Sequence, residues 1–275
     1  MNGNKCDDII VASESVRSVS DLMSIMYKYG EADNPPWFRG QSSFEWDLIP
    51  SVYRYRSYSR EKESGILNEF IHLAQMRHSG CPEYDKLSDW LTLMQHYGLA
   101  TRLLDWTQSI LIATYFSVSD SRRQILKDIQ LGASLEDALK NQDESSPAAL
   151  WMLFPLKLNK LMINQQKMIP IKSDLVRDLV KSAFHSNENS NDRIVAVRAE
   201  EKNIRMLMQQ VSFTIHGTIV PLNCINNIHE CIVKFHIPPE YKARLSAELD
   251  SIGIKTHNIF PDLSHLSEYL AYSYF

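Results

Sequence analysis

Apolar residues along the chain keep two rhythms, one near 3.6 and one near 2. Between Ser15 and Tyr29 they fall at Val19, Leu22, Met23, Ile25 and Met26, so this segment predicts a short amphipathic helix with Ser20 or Asp21 as its cap. Asn34-Pro35-Pro36 breaks that rhythm, and Trp37-Phe38-Arg39-Gly40 reads as a short strand that turns at Gly40 and leaves Arg39 at its end. A long helix is predicted from Glu61 to about His78, with Ile66, Leu67, Phe70, Ile71 and Leu73 on its apolar side. Another runs from Leu87 to Tyr97 and stops at Gly98, placing His96 in the last turn. Ser109 to Val118 is apolar all round and predicts a buried helix.

Beyond it the pattern loosens. Asp120 to Ser146 is polar and helix-prone, ending in a surface loop, and Ala148 to Leu156 reads as a buried strand cut off by Pro155. Residues 157 to 192 alternate helical and loop signals. The period of 2 returns at Arg193 to Val197, at Ser212 to His216 and at Glu230 to Ile237, where Cys231, Val233, Phe235 and Ile237 should share a face. Pro238-Pro239-Glu240 then opens a helix, Tyr241 to Ser251, ended by Gly253. Strands parted by helices of unequal length, without regular alternation, predict an α+β fold.

Composition changes this picture little. A chain of 275 residues that is 44% hydrophobic can bury a large core as one or two domains. Its net charge of -4 gives no global attraction to a polyanion, so any nucleic-acid contact needs a local basic patch. The start carries no basic, apolar leader, and no run approaches a membrane span, so a cytoplasmic protein with reduced thiols is expected. Cys224, His229, Cys231 and His236 are close in sequence, but they flank a strand-like run and half would point away from the rest, so no metal is expected.

Candidate chemistry concentrates in two polar-aromatic clusters, Trp37 to Gln41 and Gln95 to Thr107. Each sets arginines among aromatic and apolar residues, where a guanidinium needs an anion or a stacked ring. Arg39, beside Gly40, could pair with phosphate or carboxylate in a cleft, or hold its strand to Asp105. Thr101 could cap a helix or bond a ligand hydroxyl. Arg102 and Asp105, three apart, would share one helical face as a local ion pair or as ligand contacts. Trp106 suits core packing or stacking on a base, and His96 a ribose contact, acid-base work or a helix cap. Gln209-Gln210 precede a strand and could clamp a ligand, and Glu200, Glu201 and Glu230 are the nearby carboxylates. A Gly-rich phosphate loop, a Rossmann fingerprint, His-Glu-x-x-His and Gly-x-Ser-x-Gly are all missing from the sequence.

At Phe38-Arg39-Gly40 the chain resembles the FRG-domain family, which takes its name from that motif. The likeness extends through Gln41 and Leu48 to Ser51, to Gln95 to Leu99 with Thr101 to Thr107, to Ala113 to Phe116, and on to Arg205, Gln209-Gln210 and Ile259 to Leu263. A second resemblance is to the arginine class of ADP-ribosyltransferases, whose first strand ends in an aromatic-Arg-Gly. These resemblances imply a mixed, split β-sheet core flanked by helices, in one FRG-type domain over 1–275 with a variable helical insertion around 120–192. They imply NAD as substrate, bound by Phe38, Arg39, Gly40, Gln41, Thr101, Arg102, Asp105, Trp106 and Tyr115. Catalysis would draw on Arg39 and His96, with Gln209, Gln210, Glu201 or Glu230 as the third element. The implied activity is that of an ADP-ribosyltransferase or NAD glycohydrolase, an effector of the toxin or anti-phage defence type. It would modify a protein or nucleic-acid acceptor, with a regulatory protein partner and no membrane. The alternative is a non-catalytic module that binds a nucleotide-like ligand or a partner.

Overall fold

The computed structural model describes residues 10–130, 132, 134, 146–188, 191–200 and 204–274. Eight strands form one mixed sheet. They are β1 (Ile10–Ser15), β2 (Trp37–Gln41), β3 (Leu103–Thr107), β4 (Ala148–Leu153), β5 (Ile169–Pro170), β6 (Ile194–Arg198), β7 (Val211–His216) and β8 (Ile232–Ile237), ordered β1-β8-β4-β2-β3-β7-β6-β5. The outer pairs β1/β8 and β5/β6 are parallel, and every pair between them is antiparallel. The described helices are α1 (Val19–Tyr29), α2 (Arg60–Ala74), α3 (Leu87–His96), α4 (Ile110–Gln130), α5 (Pro155–Ile163), α6 (Arg177–Phe184), α7 (Ile204–Gln209), α8 (Lys242–Ser251), α9 (Thr256–Ile259) and α10 (Leu263–Tyr274).

The sheet is continuous rather than split, but only just. β2 pairs with β4 over five positions and β3 pairs with β7 over five, whereas β2 meets β3 at the single pair Phe38↔Thr107. Past that point the two central strands part, and the molecule has a seam down its middle.

Alternation along the strands sorts the side chains into three cores. On one face, Leu103, Phe213, Ile215, Val195 and Val197 pack beneath α2, α3 and α6, and Phe38, Leu150, Met152, Val233 and Phe235 pack beneath α1, α4 and α8. On the other face, Trp37, Leu104, Trp106, Trp151, Ile194 and Ala196 form the third core, covered by α5 and by short turns. The gap between the first two cores lies over the seam.

Several local readings change. The first helix begins at Val19, capped by Ser18, and Asp21 reaches back to the Ser18 amide in a reciprocal box instead of capping the helix itself. Thr101 to Thr107 is not helical: Gly98, at φ +80, ends α3 and reverses the chain into β3. Arg102 and Asp105 therefore share no helical face. Cys231 precedes β8 and joins the third core, away from Val233, Phe235 and Ile237. Residues 120–192 supply the central strand β4 and the edge strand β5 as well as helices. Cys224 is disulfide-bonded, so the expectation of reduced thiols fails there.

Candidate functional site

A cleft of about 470 Å³ opens over the seam, within the size range of small-molecule sites. Its construction follows from the parting of β2 and β3. The Asp105 carbonyl faces the gap that β2 has vacated, and Arg39 supplies the missing donor, its Nη1 lying 2.7 Å from that oxygen. The Arg39 Nε is buried and has no partner. Burial lowers the Arg39 pKa to about 10, Asp105 opposing the shift and Arg54 adding to it. Gly40 lets α4 approach the strand, because a Cβ there would come within 3.0 Å of the Ala113 carbonyl oxygen and the Ser117 amide.

Asp105 stands in the cleft, opposite Phe213 in the β3/β7 register. Its Oδ2 accepts from Gln95 Nε2 at 2.8 Å, and Gln95 Oε1 accepts from the Thr101 hydroxyl at 2.5 Å. The same Thr101 oxygen accepts from the Leu103 amide at 3.0 Å. With its acceptor side used, the hydroxyl is free to donate to Gln95, which fixes the amide with its nitrogen toward Asp105. The protein around the cleft pushes the Asp105 carboxyl above the ordinary aspartate range, against the pull of Arg39 and Gln95.

Two more guanidinium groups complete the cleft. Arg54 comes from the turn Ser51–Arg54, with Nε and Nη2 clamped on the Ile49 carbonyl at 3.0 and 2.9 Å. Arg205, on α7, lies over the Phe260 ring at 4.8 Å from its centroid. His96 sits at the end of α3, its pKa lowered by burial, then by Arg205 and His78, which favours the neutral imidazole. Trp46, half exposed, and Phe116 give the cleft aromatic surface. Three arginines thus face two lining carboxylates, Asp105 and Asp120.

The predicted residues separate into two groups. Phe38, Arg39, Gly40, Gln41, His96, Asp105, Trp106 and Gln209 all border the cleft. Within that group, the Gln41 side chain is spent on Trp151 Nε1 and the Asp47 carbonyl, and Gln209 Nε2 donates to the Ile259 carbonyl. The Trp106 indole donates to Thr214 Oγ1 and is 2% exposed, a floor rather than an open stacking face. The rest lie elsewhere. Thr101 is buried behind Gln95. Arg102 is sealed in the first core, paired through Nε and Nη2 with both oxygens of Glu63 at 2.8 and 2.7 Å. Tyr115 belongs to the second core and bonds Thr256. Gln210 is an exposed left-handed residue (φ +49) at the turn into β7, Glu230 is exposed in the turn before β8, and neither lines the cleft. Glu201 lies outside the described residues.

Arg54 is the residue that sequence reading missed. It sits among Tyr53, Tyr55 and Arg56 without periodicity, and only the path of the turn after Pro50 brings it to the seam. Among the described residues no cluster of three or more His, Cys, Asp or Glu could hold a metal ion, and no helix is long and apolar enough to cross a membrane. No curated protein and no solved structure matches the chain. One family model does match, over the stretch that carries β2, the Arg54 turn, α2, α3, β3 and most of α4: residues 34–125 are similar to the FRG domain.

Proposed function

We propose that the cleft binds a nucleotide of the NAD class and cleaves its nicotinamide–ribose bond, as an effector that passes ADP-ribose to a macromolecular acceptor or to water. The observation that carries the reading is the convergence of Arg39, Arg54 and Arg205 with Asp105 in one aromatic-bordered cleft. Arginines that are already anchored and outnumber the carboxylates bind a polyanion at little cost in reorganisation. Asp105 is the carboxylate for the chemistry, in place of Glu230, which is outside the cleft.

In this mechanism the bond between ribose C1′ and the pyridinium nitrogen breaks heterolytically. Nicotinamide leaves as a neutral ring with the bonding pair, and positive charge grows on the ribose. The Asp105 carboxylate, aimed by Gln95, faces that charge; the acceptor oxygen or nitrogen then bonds to C1′ and releases its proton to Asp105 or to neutral His96. Catalysis comes from positioning and electrostatics. The preference of residues 34–125 for the FRG model supports the effector role only through family resemblance.

The test is isothermal titration of NAD into wild type and Arg39→Ala, with free nicotinamide followed over time in wild type and Asp105→Asn. Arg39-dependent binding with Asp105-dependent release is the expected result. Binding without release would favour a nucleotide-binding module, a reading supported by the engagement of Asp105 with Gln95. Neither binding nor release would remove the proposal.

A further inference from the structure

The geometry points to a diphosphate subsite at the seam, in which Arg39 holds one phosphoryl group and Arg54 the other. This deepens the nucleotide reading, and rests on it only for the identity of what is attached to the diphosphate. Arg54 enters from the turn after Pro50, inside the stretch 34–125 that is similar to the FRG domain.

Four observations converge on it. Arg39 is anchored by one nitrogen on the Asp105 carbonyl, which leaves its buried Nε without a partner and its other hydrogens uncommitted. Arg54 is anchored in the same way, with two nitrogens on the Ile49 carbonyl and Nη1 unused there. Both groups are therefore held before any ligand arrives, which limits the entropy lost on binding. Both guanidinium groups also line one cleft, where burial and then Arg54 lower the Arg39 pKa, and burial lowers that of Arg54. Among the described residues Asp105 is the carboxylate that acts on both, and Gln95 holds its Oδ2 on the α3 side.

Two fixed cations sharing one carboxylate leave a net positive site. A single carboxylate or monophosphate offers one anionic group to two guanidinium groups. A diphosphate offers two linked anionic groups, each able to take a guanidinium fork, so its second contact is gained without a second binding event. Arg205 stands on another wall, stacked on Phe260, and is not part of this pair.

The experiment is calorimetric titration of sodium pyrophosphate, orthophosphate, ADP and NAD into the full chain, at fixed ionic strength. Wild type is compared with Arg54→Gln and Arg39→Gln, and with Arg177→Gln as a control on an exposed arginine outside this cleft. Circular dichroism and thermal melts establish that each variant is folded. Pyrophosphate should bind at least tenfold more tightly than orthophosphate, Arg54→Gln should weaken it about tenfold, and Arg177→Gln should leave it unchanged. Equal affinity for the two anions, or an Arg54→Gln variant that binds pyrophosphate like wild type, overturns the subsite. Pyrophosphate and ADP binding that needs Arg54, without NAD binding, keeps the subsite and removes the NAD reading. NAD binding indifferent to Arg54→Gln does the reverse.

Discussion

Replacing Arg102 by methionine should destabilise the fold severely and leave ligand binding at the cleft nearly unchanged. Arg102 is 1% exposed and reaches from the start of β3 into the first core. There Nε and Nη2 meet the two Glu63 oxygens, Nη1 meets the Leu179 carbonyl at 2.9 Å and Ser182 Oγ at 2.8 Å, and Nη2 also meets the Ser182 carbonyl at 3.3 Å. The guanidinium thus ties α2 and α6 to the central sheet. Methionine fills much of the volume but strands the Glu63 carboxylate, 1% exposed, with only the Tyr58 hydroxyl, at 2.9 Å. Removing one partner of a buried ion pair costs about 3–5 kcal/mol, since the other charge is left uncompensated. A loss of that size lowers the melting temperature by on the order of 10 °C in a chain of this length. Adding Glu63→Gln removes the stranded charge, so the double variant should recover at least about 1 kcal/mol relative to the sum of the single changes. Urea denaturation followed by tryptophan fluorescence measures all three, with Trp90 reporting from the same core. A single-variant cost below about 1 kcal/mol, strictly additive effects, or a large loss of pyrophosphate affinity in folded Arg102→Met would each refute the assignment of Arg102 as a strut.

Three further outcomes are expected. Gly40→Ala should cost about 1–3 kcal/mol, because α4 must retreat from β2, and a thermal melt at wild-type stability would contradict the close approach seen there. His216 is buried beside Thr214, and burial, then Arg39 and Arg102, lower its pKa to about 3. Its folded-state pKa lies below the unfolded value near 6.5, so its contribution is fully present above about pH 6.5 and is lost as pH falls toward 3, with a slope of up to about 1.4 kcal/mol per pH unit. His216→Gln should flatten that slope in denaturation measured from pH 7 to 5; an unchanged slope would mean that another group carries it. Thr101→Val removes the donor that orients Gln95, so nicotinamide release should fall about tenfold with little change in NAD affinity, and Thr101→Ser should restore it. Equal losses in the valine and serine variants would point to packing instead.

Much of the sheet is legible because strand alternation and helical spacing are local signals. Trp37 to Gly40, the Leu87 helix with its Gly98 stop, and the helix after Pro238 all lie within a residue or two of their expected limits. Thr101 to Thr107 was misread because Thr101, Arg102, Asp105 and Thr107 suit a helix start as well as a strand, and only pairing with Val211–His216, more than a hundred residues away, decides it. Arg102 illustrates the same limit at the site. An arginine among apolar residues needs an anion, but its anion is Glu63, 39 residues upstream on a helix whose register nothing near Arg102 reveals. Gln95 was legible as a cluster member, whereas its role between Thr101 and Asp105 depends on the hairpin that folds α3 back onto β3.

The Phe38-Arg39-Gly40 motif gains a physical meaning from the seam. Phe38 makes the one pair that joins the two halves of the sheet, and its ring is buried in the core under α4. Gly40, two residues on, gives that helix room to lie against the strand. Between them Arg39, on the opposite strand face, has neither a β3 ladder partner nor a carboxylate hydrogen-bonded to it, and turns its guanidinium into the gap where the Asp105 carbonyl waits. A second paired position between β2 and β3 would satisfy that carbonyl from the backbone and close the cleft. One pair holds the sheet together, and the absence of the next leaves a polar edge that only a long cationic side chain can reach. The same three residues therefore fix the fold's weakest junction and expose the charge that makes it a binding site.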